Sequence, residues 1–105
     1  MIHNNQFLKY ILEKLSLVPG LSSKEIKGGY LLYSNNINFG GVYDDKLYVK
    51  ITKRSANMLP YAKKEKPNTN SKNMLHVAIA DNKIVLKELV AAIVQDTLED
   101  ENQNK

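Results

Sequence analysis

Between residues 24 and 51 the chain takes on the two-residue period of strands, and two polar pairs, Asn35-Asn36 and Asp44-Asp45, separate its apolar runs. A period of two is what a half-buried strand requires, because successive side chains leave opposite faces of the sheet. The stretch "LYVKI" is the clearest instance, with Leu47, Val49 and Ile51 on one face and Tyr48 and Lys50 on the other. Asn and Asp tolerate positive φ better than most side chains, so each polar pair reads as a two-residue hairpin loop. The expectation is a three-stranded antiparallel meander over roughly 26–34, 37–43 and 46–51.

Two Gly-Gly pairs lie in this segment, Gly28-Gly29 and Gly40-Gly41. A phosphate-cradling loop needs its glycines between a strand and a helix N-terminus, where amides and the helix dipole converge on the anion. Neither pair leads into a helical pattern, and neither G-x-x-x-x-G-K-S/T nor G-x-G-x-x-G occurs. All four glycines therefore read as structural. The register set by the two loops places Gly41 between Tyr30 and Tyr48, whose rings would cover the bare backbone. It places Gly40 between Leu31 and Val49, where a missing side chain would let a helix approach.

That register sorts the faces. Leu31, Val42, Leu47, Val49 and Ile51 form an aliphatic side for helices to cover. Tyr30, Leu32, Phe39, Tyr43 and Tyr48, with Lys46 and Lys50, form the other. From this second face Tyr30, Phe39, Tyr43, Lys46, Tyr48 and Lys50 make a candidate interaction surface. Tyrosine-rich surfaces suit protein interfaces or self-association. A face of aromatics and lysines also suits base stacking. Plain cross-strand pairing accounts for the same pattern.

Helical periodicity flanks the meander. Phe7, Leu8, Ile11, Leu12 and Leu15 share one stripe, with Asn4 or Asn5 as cap and Val18-Pro19-Gly20 as stop. "TKRSANMLPYA" reads as a short helix before Pro60, and "KKEKPNTNSKN" as a loop, or a loop carrying one short edge strand. "MLHVAIA" returns to strand period, with Leu75, Val77 and Ile79 on one face. A second helical stripe follows in Val85, Leu86, Leu89, Val90, Ile93 and Val94, capped by Asp81 or Asn82. Hairpin strands with helices outside them give an α+β two-layer domain over residues 1–98, with 99–105 read as a disordered tail.

Composition narrows the chemistry. The 105 residues suit one domain. Without cysteine there is neither a disulfide, a thiolate metal site nor a cysteine nucleophile. His3 and His76 share no ligand spacing, so no metal or cofactor is expected. Asp44 and Asp45 read as turn formers, not as a paired-carboxylate site. No serine lies in a nucleophile-elbow context, and no catalytic residues are assigned. No apolar run is long enough to span a bilayer and no signal-peptide pattern opens the chain, so no membrane partner and a cytoplasmic location are expected.

The net charge of +4 rests on fourteen lysines and one arginine, Arg54. A modest positive charge favours anionic partners. Bidentate phosphate or guanine readout prefers arginine, however. Direct nucleic-acid binding is the second functional reading, through the basic aromatic sheet face with Lys46 and Lys50, and through Lys53, Arg54, Lys63, Lys64 and Lys66.

The stretch "GGYLLYSNNINFGGVYDDKLYVKI" resembles the N-terminal domain of the TfoX family of competence regulators. Gly28, Gly29, Tyr33, Phe39, Asp45, Leu47, Tyr48 and Lys50 match that family's pattern. The order of later elements is similar too, and the likeness covers about residues 5–98. Glu25, Ile26 and Lys27 depart from it, standing where the family carries an Arg and a Met-Phe pair. Asn35-Asn36 replaces the usual Asp-Gly turn, and nothing after Asp100 supplies the helical second domain of larger members. The resemblance implies an α+β architecture like that of secretion chaperones. It also implies a regulatory role in competence or transcription, exercised through protein contacts, with no catalytic residues carried over.

Overall fold

The computed structural model describes residues 5–67, 72–78 and 82–103. These form an α+β domain in which one six-stranded antiparallel sheet carries three helices. In chain order the elements are α1 (Asn5–Lys14), β1 (Leu21–Ile26), β2 (Gly29–Ser34), β3 (Ile37–Tyr43), β4 (Lys46–Lys50), α2 (Lys53–Met58), β5 (Lys63–Glu65), β6 (Met74–Val77) and α3 (Lys83–Gln103). The strands lie in the order β1-β2-β3-β4-β6-β5. Among the described residues no helix is long and apolar enough to cross a membrane.

Both polar pairs are hairpin loops, as their chemistry predicts. Asn35, Asn36, Asp44 and Asp45 all adopt positive φ, between 49° and 68°. The expected first strand, 26–34, holds β2, and its first residue, Ile26, ends a separate strand, β1. Ile26 pairs with Gly29 across a tight turn in which Gly28 takes φ 90°, and β1 precedes that turn. β1 was invisible to periodicity because "LSSKEI" has apolar residues only at its ends. The polar connection after Pro60 does carry a short edge strand, β5.

A β-bulge overturns the expected pairing of β2 with β3. Ser34 opposes Ile37 and Tyr33 opposes Asn38, but Leu32 then opposes Gly40, leaving Phe39 as an extra residue. The Asn38 side-chain amide holds the bulge, donating to the carbonyls of Leu32 and Gly40, each at 2.9 Å. From Leu32 back to Gly29, β2 is displaced by one residue, and a one-residue slip exchanges the faces. Tyr30 and Leu32 thus turn to the aliphatic side, and Leu31 leaves it.

The core follows. Ile11, Leu15 and Val18 from the α1 region meet Leu32, Phe39, Val42, Leu47, Val49, Leu75 and Val77 of the sheet and Leu86, Leu89, Val90 and Ile93 of α3. Tyr30 packs partly buried against this cluster and Phe39 is wholly buried, so neither belongs to an open face. Gly40 differs from expectation in its neighbours: a Cβ there would strike the Tyr48 carbonyl and the Val49 Cα of β4, not a helix.

Both long helices lie where their stripes predict. Asn82 caps α3, its Oδ1 accepting from the amides of Ile84 (3.0 Å) and Val85 (3.1 Å). Asn5 sits inside α1, not ahead of it; Asn4, Ile79 and Asp81 lie outside the described residues. Val85 is 46% exposed instead of buried. The segment from residue 99, expected to be a disordered tail, continues α3 to Gln103. Its helicity has a cause, since Glu99 pairs with Arg54.

The bulge makes Phe39→Ala a test of register. With Phe39 in the core, the truncation costs about 3–5 kcal/mol. On an open face it would cost only a small fraction of that. The urea midpoint, at unchanged m, distinguishes the two.

Candidate interaction surface

The face opposite the core is built in cross-strand rows. Lys24, Leu31, Gly41, Tyr48, His76 and Lys63 face one another in turn across all six strands. Tyr43 and Lys46 form a neighbouring pair, and Lys50 opposes Met74, which opposes Glu65. Four of the six surface candidates therefore share this face: Tyr43, Lys46, Tyr48 and Lys50. Tyr30 and Phe39 do not, because the bulge assigns them to the core side.

The tyrosines lie low against the sheet. The Tyr43 ring stretches over Gly29 and Gly41, and a Cβ on Gly41 would approach its Cε2 to 2.8 Å. Gly41 is thus covered by a tyrosine, Tyr43 rather than Tyr30. Tyr43 meets Tyr48 edge-on at 6.0 Å between centroids, and Tyr48 meets the His76 ring at 5.5 Å. Such pairs add roughly 0.5–1.5 kcal/mol beyond their buried area. Tyr43 and Tyr48 are only 7% and 4% exposed. Burial first, and the nearby Tyr33 second, push the Tyr43 phenol above its ordinary range, so it stays neutral. What meets solvent is the ends of Lys24, Lys46 and Lys63 with half-buried Leu31, Tyr33, Met74 and His76. His76 is indeed a sheet-surface histidine, and folding gives it an acid neighbour, Glu65, with Oε1 at 3.5 Å from Nδ1.

An open cleft of ≈ 690 Å³ adjoins the Lys50 end of this face. Leu31, Tyr43 and Met74 supply apolar wall, Lys50, Lys53 and Lys72 supply positive charge on one side, and Asp96, Thr97, Glu99 and Asp100 of α3 close the other side as an acidic wall. Sequence reasoning had no means to join α3 to this surface. The joining is done by α2. Thr52 caps α2 reciprocally, its Oγ1 accepting from Ser55 N at 3.1 Å while Ser55 Oγ accepts from Thr52 N at 2.7 Å. Ser55, fully buried, also donates to Lys50 O at 2.8 Å, fastening α2 to the end of β4.

Arg54, one residue into α2, clamps α3. Its Nη1 reaches Asp96 Oδ1 at 2.5 Å and Glu99 Oε2 at 2.8 Å, and its backbone amide donates to Asp96 Oδ2 at 2.8 Å. Arg54, a candidate nucleic-acid contact, is thereby engaged by two carboxylates. Lys53, Lys63, Lys64 and Lys66 are exposed. Among the described residues no group of three or more His, Cys, Asp or Glu side chains gathers as a metal site would require.

The clamp has a pH signature. Loss of solvent pulls the Asp96 carboxyl upward, but the Arg54 amide, the Thr52 hydroxyl and the guanidinium outweigh it and hold its pKa down. The hydrogen bond from Arg54 lowers Glu99 as well, with Gln95 contributing. Carboxyls depressed in the folded state stabilise it above their unfolded pKa, and that stabilisation is lost as pH falls through the folded value. The double variant Asp96→Asn, Glu99→Gln should be less stable than the parent at neutral pH, with the gap closing below about pH 4. The clamp is exposed, so the gap should also shrink in high salt. Urea midpoints against pH measure it, and a gap that stays constant into acid would contradict the clamp.

No protein-family model matches the chain, and no curated protein sequence matches it.

Proposed function

We propose that this chain is a small, non-enzymatic, cytoplasmic interaction domain, of the TfoX N-terminal kind, that regulates by binding other proteins or a second copy of itself. The observation that carries this reading is the lysine-rimmed sheet face with its adjoining cleft. The apolar wall of Leu31, Tyr43 and Met74 suits inserted side chains, while Lys46 and Lys50 suit an acidic rim on the partner. The TfoX likeness, carried by Gly28, Gly29, Tyr33, Phe39, Asp45, Leu47, Tyr48 and Lys50, supports a regulatory role in competence or transcription.

Direct nucleic-acid binding is the second reading, favoured by the exposed Lys53, Lys63, Lys64 and Lys66. Two features weigh against it. Rings as buried as Tyr43 and Tyr48 offer no platform on which bases stack. The one guanidinium already pairs, through Nη1, with two carboxylates.

The test is capture from the native cell with wild-type chain and with Lys46→Glu, Lys50→Glu, both checked for an unchanged circular-dichroism spectrum. The expected result is a protein partner, or a dimer, that the double variant loses about tenfold or more. Capture of nucleic acid alone, with binding falling steeply in salt, would replace this reading with the second.

A further inference from the structure

The two outer edges of the sheet differ in charge. β1 carries Lys24 beside Glu25. β5 carries Lys63 and Lys64, with Lys66 just beyond, and Glu65 is turned toward His76. All three lysines are exposed, and none has an ion-pair partner among the described residues. Among those residues β5 pairs with β6 alone. A strand paired on one side keeps amides and carbonyls for another chain.

Beside this edge stands an aromatic side chain with no part in the fold. Ala62 N donates to Leu59 O at 3.1 Å, closing a turn with Pro60 and Tyr61 at its centre. Proline presets the first central φ of such a turn, so the turn is stiff. It holds Tyr61 out at 99% exposure, with Met58 nearby at 38%. An apolar hollow of ≈ 300 Å³ lies there, between the turn and the end of β6, lined by Leu59, Ala62, Val77 and Ala78.

We infer that β5 is the docking edge for an extended acidic segment of a partner protein, which adds to the sheet as a further strand. Its carboxylates meet Lys63, Lys64 and Lys66, and an apolar side chain enters the hollow beside Tyr61. The inference rests on the protein-contact reading above and names a site and a partner chemistry for it. Charge selects the occupant. A second copy of this edge would bring three more lysines and only one glutamate, a net like-charge approach that repels, whereas an acidic strand is attracted by Lys63, Lys64 and Lys66. Phosphates would be attracted too, but they only accept hydrogen bonds. The edge presents donors and acceptors in alternation, which a peptide backbone complements.

The test titrates the full ¹⁵N-labelled chain at low salt with the capped peptide Glu-Asp-Glu-Asp-Val-Ile-Val. Parallel titrations use a peptide with lysine at every acidic position and a short oligo-dT. Expected are amide shifts confined to residues 58–66 and 74–78, slower exchange of β5 amides, and no effect of the lysine peptide. Lys63→Glu with Lys64→Glu should weaken binding roughly tenfold, two exposed ion pairs being lost. No shifts at millimolar acidic peptide, or equal shifts from both peptides, would overturn the inference. Stronger shifts from oligo-dT at the same amides would make the edge a nucleic-acid site and overturn it as well. Should the native partner be lost with Lys46→Glu, Lys50→Glu and retained by Lys63→Glu, Lys64→Glu, the edge inference fails while the protein-contact reading stands.

Discussion

One asparagine amide decides what each side of this sheet is made of. Asn38 donates to the carbonyls of Leu32 and Gly40, on either side of the unpaired Phe39. The amide thus gives both carbonyls a hydrogen bond where the ladder is locally disrupted, and unsatisfied buried backbone groups are costly. With the bulge held, Phe39 enters the core, Tyr30 and Leu32 follow it, and Leu31 emerges beside Gly41. Without it, the meander would close in the plain register and an aromatic would stand in solvent. Phe39 is therefore a core position.

The second organising contact lies at the start of α2. Thr52 and Ser55 cap the helix, Ser55 ties it to Lys50, and Arg54 reaches across to Asp96 and Glu99. A six-residue helix is too short to be stable by itself, so these anchors and its packing on α3 hold it in place. Its position brings the end of α3 over the cleft, which is how a helix remote in sequence comes to border the sheet face.

The charges sort themselves by the same geometry. Arg54 is paired with Asp96 and Glu99 at the surface, while Lys24 and Lys63 end the central cross-strand row and Lys46 and Lys50 lie within the face. Buried tyrosines beneath and ammonium groups at the margins are what the proposed partner, bringing carboxylates and small apolar side chains, would meet. Flat bases find little to rest on.

Local chemistry was legible in the chain. Asn35-Asn36 and Asp44-Asp45 turn because their side chains tolerate positive φ, Asn82 caps because its carbonyl reaches two free amides, and the stripes of α1 and α3, Val85 excepted, are buried or partly buried as their spacing aligns them. The α+β class followed from those local signals. β1 escaped because Ser22, Ser23, Lys24 and Glu25 carry no alternation, its place being set by pairing with β2. The face assignment of Tyr30, Leu31 and Phe39, the Arg54 clamp on residues more than forty positions away, and the free lysine edge of β5 were decided by tertiary structure alone. A two-residue period gives alternation without saying which residue is skipped, and an ion pair between distant segments exists only once packing has brought them together.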